Sequence, residues 1–206
     1  MNSLYEYDNA LRSDFPLICG ADEAGRGPLC GPVCCAAVVL KPDFQCDDIN
    51  DSKKISEKKR EKLFDIIIDN SLAYSIVMVS PQEIDKLNIL HASLEGMKSA
   101  VKSLNLTPDI VLIDGNKIPS DMPCHTESVV KGDATSMSIA AASILAKVSR
   151  DRYMLELDKE YPQYQLSKHK GYPTKLHYEL IAEHGIKDFY RRSFFTKRPE
   201  LLWIKD

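Results

Sequence analysis

Apolar positions along the chain follow two periodicities. The runs "PLICGAD" and "GPVCCAAVVL", joined by a glycine-rich connection, predict two neighbouring strands, and the short, β-branched runs "AYSIVMV", "DIVLID" and "HTESVVK" predict three more. Helical spacing lies between them. After Ser56, the side chains of Leu63, Phe64, Ile67 and Ile68 share one face, and "SPQE" at Ser80–Glu83 is a capping box with proline at the first helical position. Ile89, Leu90, Leu94, Met97 and Val101 keep helical spacing over 88–104, until "NLTPD" ends the element. The segment "ATSMSIAAASILAKVSRDRYMLELDKEY" has the length of a long helix, and the Ala and Ser in its first half let it lie close on a sheet. Beyond Pro162 the chain turns polar and basic, and "GYPTKLHYELIAEHG" predicts a turn and a short helix ending at Gly185. The expected fold class is α/β, a mixed central sheet flanked by helices. Residues 1–160 form its main domain, and a helical extension over 161–206 packs on it.

Composition narrows the class. With 206 residues, 44% hydrophobic and 28% charged, the chain can bury a full core. The first residues hold no apolar core of a signal peptide, and no stretch approaches eighteen apolar residues, so a cytoplasmic monomer with no membrane partner is expected. The six cysteines have apolar neighbours and no Cys-x-x-Cys spacing, which favours reduced thiols over disulfides or a zinc site. The net charge of −3 conceals an asymmetry: residues 1–146 carry 14 basic and 21 acidic side chains, whereas 147–206 carry 13 and 9. Basic clusters over Lys53–Lys62 and Lys168–Arg198 are either solvated faces or a track for a phosphate backbone.

Three strand-like runs end on an acid: "LICGAD" at Asp22, "DIVLID" at Asp114 and "VVKGD" at Asp133. Acids that terminate neighbouring strands converge beyond the sheet edge, and Glu23 adds a fourth. Any one of them could instead cap a turn, Asp133 before "ATS" above all. Four carboxylates in a small volume repel unless a cation neutralises them, and hard oxygen ligands suit Mg²⁺ or Mn²⁺. Two such ions roughly 4 Å apart are the arrangement used on phosphodiesters, one activating water and the other stabilising the leaving oxygen.

"GRG" at Gly25, Arg26 and Gly27 follows the first two acids directly. Its glycines let the backbone turn and present N–H groups to an oxygen-rich ligand, or they only join two strands. The frame "GADEAGRG" lacks the Lys and Ser/Thr of a phosphate-binding P-loop and places acids where phosphate would lie. The five histidines sit in unrelated contexts, so each is read as solvated or satisfied in the core.

The segments "ADEAGRGPLCGPV", "DSKKISEKKRE", "DGNKIP", "VVKGDATSMSIAAASILAKVSRDR", "HKGYPTKLHYELIAEHG" and "RRSF" occur in an order that resembles the bacterial type II ribonucleases H, from about residue 18 to 195. The resemblance implies a ribonuclease H-like fold and an endonuclease acting on RNA–DNA hybrids and on ribonucleotide-containing duplex DNA. It implies metal-binding, catalytic acids at Asp22, Glu23, Asp114 and Asp133, holding two Mg²⁺ or Mn²⁺ ions with substrate. It also implies 2′-hydroxyl recognition by Gly25, Arg26 and Gly27, and stacking of Tyr172 on the following deoxyribose; packing over a turn is the other reading of Tyr172. Lys53, Lys147 and Arg150 either contact phosphate or buttress the acids, with surface ion pairing an equal reading. The family more often has His where this chain has Tyr190, so that position receives no catalytic weight. A related DNA nuclease or resolvase, and a hybrid-binding module without catalysis, are the rivals. The loop with Tyr172 argues against the first, and the presence of all four acids against the second.

Overall fold

The computed structural model describes residues 3–49 and 55–203. All five expected strands form: β1 (Ile18–Ala24), β2 (Val33–Leu40), β3 (Ser71–Val79), β4 (Ile110–Asp114) and β5 (His125–Val129). They make one sheet in the order β3-β2-β1-β4-β5. The pairs β1–β2 and β2–β3 are antiparallel, whereas β4 and β5 run parallel to β1, so the sheet is mixed. The helices are α1 (Ser3–Leu11), α2 (Glu57–Asp69), α3 (Pro81–Leu87), α4 (Ile89–Lys102), α5 (Met137–Glu160), α6 (Leu166–His169) and α7 (Lys175–His184). The box at Ser80 forms as expected: the Glu83 N–H donates to Ser80 Oγ at 3.2 Å, and the Ser80 N–H donates to Glu83 Oε2 at 3.0 Å. Helices α1 and α6 are additions to the sequence reading.

Alternation along β2 separates two cores. Cys34, Ala36, Val38 and Leu40 pack with α5 and α2, while Cys35, Ala37 and Val39 pack with α4. Helix α5 is buried on all sides through most of its first three turns, which is why its sequence shows small residues rather than an apolar stripe. Its closest approach is over Gly20, where a Cβ would lie 2.0 Å from the Ser138 carbonyl carbon. Its N-terminus is held by buried Asp8 of α1, whose carboxylate accepts from Ser136 Oγ at 2.6 Å and from the Ser138 N–H at 2.8 Å. Ser136 is the helix N-cap.

The segment beyond Pro162 forms a third core. Tyr164, Leu166, Ile181, Phe189, Tyr190 and Phe195 close over Met154 and Leu157 of α5 and over Leu29 and Cys30 in the loop after β1. That loop is thereby tied to the C-terminal part of the chain. Among the described residues no helix is long and apolar enough to cross a membrane.

Candidate active site

Strand register brings the first acids together. Ala21 of β1 pairs with Ile113 of β4, so the next residues, Asp22 and Asp114, stand side by side on adjacent parallel strands. β1 does not end at Asp22, as expected, but continues to Ala24. Asp22 shares the sheet face of Gly20, beneath α5, and Ser143 of that helix hydrogen-bonds it. The Glu23 N–H donates to Asp22 Oδ1 at 2.7 Å. Burial, then the charges of Glu23 and Asp114, hold the Asp22 carboxyl well above the usual carboxylate range. Glu23 pairs with Arg26 Nη1 at 3.3 Å.

Asp133 lies differently from its expected place. β5 stops at Val129, the backbone turns through Lys131 at φ +56°, and Asp133 sits buried in a short 3₁₀ helix, Gly132–Ala134. The cap of α5 is Ser136, so the capping role considered for Asp133 belongs to another residue. Asp133 remains tied to the site through its neighbour, because the Gly132 N–H donates to Asp114 Oδ1 at 2.7 Å.

A cleft of about 240 Å³ is lined by Asp22, Glu23, Asp114, Gly25, Arg26, Gly27, Ser143, Lys147 and Tyr172, with Ala24. Most of the expected site residues therefore meet; Asp133 is not among the lining residues, and Lys53 lies outside the described residues. A larger cleft, about 710 Å³, lies away from the acids, between the start of α3, the C-terminal half of α5 and residues 186–189. Among the described residues no three His, Cys, Asp or Glu side chains are gathered closely enough to hold a metal ion. The cleft acids are nevertheless hard oxygen donors whose mutual repulsion shows in Asp22. A divalent cation fits that donor set.

The basic residues sort unequally. Lys147 lines the cleft and donates to Asp151 Oδ1 at 2.7 Å. Arg150 is fully buried, which removes it as a phosphate contact. Its guanidinium donates to the carbonyls of Cys30, Pro32 and Lys170 at 3.1–3.2 Å. Gly25 is required there, with φ +96° and a Cβ position 2.0 Å from Arg150 Nε.

Tyr172 is 42% exposed, so its ring is available at the cleft. A Cβ on Gly27 would lie 3.6 Å from it. Two buried histidines hold its backbone. His177 Nδ1 donates to the Tyr172 carbonyl at 2.9 Å, its Nε2 accepts from the Tyr190 hydroxyl at 3.1 Å, and its ring stacks on His169 at 4.0 Å. His169 Nδ1 accepts from the Gly171 N–H at 3.2 Å, leaving Nε2 to donate to the Tyr164 carbonyl at 2.9 Å. Sequence reading left each histidine as solvated or satisfied in the core, and for His169 and His177 the second reading holds. It missed that they frame Tyr172 from both sides, a signal present in their spacing around it. It also missed Ser143 and Arg191, the latter quoted only within "RRSF".

Acids on adjacent strands of a mixed sheet, beneath a long helix, form an arrangement suited to hydrolysis assisted by a divalent cation. The model of the family described as Ribonuclease HII matches residues 19–197. A protein named Ribonuclease HII from Shewanella baltica is 55% identical over 185 residues, which cover 86% of this chain and 87% of that protein. The crystal structure of the ribonuclease H2 from Pyrococcus horikoshii superposes with TM-score 0.79 at 27% identity, covering 90% of this chain and 97% of that one. The fold also matches that of Bst-RNase HIII in complex with Mn²⁺, with TM-score 0.60 at 17% identity, covering 90% of this chain and 64% of that one. The chain belongs to the ribonuclease HII family, whose activity is endonucleolytic cleavage of RNA in RNA–DNA hybrids.

Proposed function

We propose that this enzyme nicks duplex DNA on the 5′ side of a single embedded ribonucleotide, in addition to cutting the RNA strand of continuous hybrids. One observation carries the reading: Asp22, Glu23 and Asp114 share a cleft with the Gly25–Gly27 loop and with Tyr172. A cluster that cuts and a loop that reads a sugar are thus within reach of one nucleotide.

Asp22, Glu23, Asp114 and Asp133 are the residues that would hold two divalent cations, Mg²⁺ or Mn²⁺, when substrate is bound. The Mn²⁺ complex of the fold relative supports this choice. Cations held there would supply activation of a water, neutralisation of phosphate charge and stabilisation of the leaving 3′ oxygen. The chain's own residues do the remaining work. Ser143 and the Glu23 N–H hold the Asp22 carboxylate in one orientation, and the Gly132 N–H does the same for Asp114. Gly25–Gly27 offer backbone N–H groups to the ribose 2′-hydroxyl, which only RNA carries. Tyr172 stacks on the deoxyribose that follows, a contact without base code. Lys147 faces the substrate phosphate. The enzyme acts as a cytoplasmic monomer in the removal of ribonucleotides from DNA.

The test is incubation with a duplex carrying one ribonucleotide, with Mg²⁺, with Mn²⁺ and with chelator. Expected are cation-dependent products with a 3′-hydroxyl and a 5′-phosphate. Cyclic phosphate ends, or cleavage unaffected by chelator, would overturn the reading.

A further inference from the structure

Arg191 is fully buried, and its side-chain hydrogen bonds go to four backbone carbonyls rather than to a carboxylate, although Asp85 is near enough to act on its charge. Nη2 donates to the Gly25 carbonyl at 2.7 Å, and Nη1 donates to those of Arg26 at 3.0 Å and Pro28 at 2.9 Å. Nε donates to the carbonyl of Gly31 at 2.9 Å. The Phe194 ring lies 5.2 Å from the guanidinium carbon. Burial, with Arg150 nearby, lowers the Arg191 pKa, but only to about 9, so the group stays cationic at neutral pH.

Peptide geometry turns this grip into a statement about the cleft. Among the described residues no cis peptide bond occurs, so within each peptide plane the carbonyl and the N–H of the next residue point in opposite directions. With the Gly25 and Arg26 carbonyls fixed on Arg191, the N–H groups of Arg26 and Gly27 are turned away from it. Both residues line the cleft, and among the described residues neither N–H donates to a protein acceptor. Two adjacent donors therefore stand uncommitted beside the acids, and the cation behind them polarises both peptide units.

We infer that Arg191 is a positioning residue for sugar discrimination: it sets the Arg26 and Gly27 N–H groups to receive a ribose oxygen. The inference rests on the sugar-reading role of Gly25–Gly27 proposed above. Lysine cannot replace the group, because one ammonium cannot reach four carbonyls fanned around a planar fork.

The experiment compares steady-state cleavage of two duplexes, identical except for one ribonucleotide or its 2′-deoxy counterpart. Wild-type enzyme that cuts both equally would remove the sugar-reading role itself, and the inference with it. With wild type discriminating, folded Arg191→Lys enzyme is expected to lose about 30-fold in kcat on the ribonucleotide duplex, with KM within about threefold. Its ribo-to-deoxy ratio should fall at least about tenfold. A role in folding alone would lower both rates together and leave that ratio unchanged, which would overturn the inference. Phe194→Leu, which removes only the ring beneath the guanidinium, decides the matter if Arg191→Lys does not fold. It should lower the ratio by about threefold or more, and an unchanged ratio would overturn the inference.

Discussion

The Gly132 N–H donates to Asp114 Oδ1 at 2.7 Å, which joins the end of β4 to the turn that carries Asp133. One oxygen of Asp114 is thus fixed by the backbone, while the residue also lines the cleft. Replacement by asparagine keeps an acceptor for Gly132 but removes the charge. Asp114→Asn should retain its fold and hybrid affinity within about threefold, while kcat falls at least about 100-fold. Fluorescence anisotropy with labelled hybrid and single-turnover cleavage separate the two. A variant with near-normal turnover would remove Asp114 from the chemistry.

Tyr172 should matter most where the chemistry of the strand changes. Tyr172→Ala is expected to weaken nicking at a single ribonucleotide by about tenfold or more, and cleavage within a continuous hybrid by less. Equal loss on both substrates would show that the ring does not sense the junction.

The histidine pair behind Tyr172 makes stability depend on pH. Burial, followed by the neighbouring His169, lowers the His177 pKa from 6.5 to about 4. The folded state therefore binds fewer protons than the unfolded chain in that window. Its contribution is fully present above pH 6.5 and is lost as pH falls towards 4, by up to about 3 kcal/mol. Urea midpoints at pH 7 and pH 4.5 should differ more for wild type than for His177→Asn. Parallel curves would contradict the assignment.

Gly20 tests the contact that seats α5 over the sheet. A Cβ there would lie 2.0 Å from the Ser138 backbone, which cannot yield as a flexible side chain would. Gly20→Ala should cost at least about 3 kcal/mol in equilibrium unfolding. A loss below about 0.5 kcal/mol would show that helix and strand can separate freely.

Much of this site could be read from sequence because local chemistry carries it. Asp22 and Asp114 announce themselves as acids on apolar strands, and parallel register does the rest. Asp133 was read at a strand end, but left-handed Lys131 breaks the strand first, and "VVKGD" gives no sign of that break. Helix α1 escaped because it buries only Leu4 and Asp8, and its main task is that one buried carboxylate, Asp8, on the α5 terminus. Arg191 sits in the basic stretch Lys168–Arg198, and sequence alone leaves Arg150 as a phosphate contact, a buttress of the acids or a surface ion pair. Only tertiary packing shows that both face inward and hold carbonyls.

The central claim is that one cleft both reads a ribose and cuts beside it. The most direct measurement is kcat/KM, with Mg²⁺, for two duplexes that differ by a single 2′-oxygen. The account predicts a nick immediately 5′ of the ribonucleotide and a preference over the deoxy duplex of at least about 1,000-fold. Comparable cleavage of the two, or nicking at positions unrelated to the ribonucleotide, would contradict it.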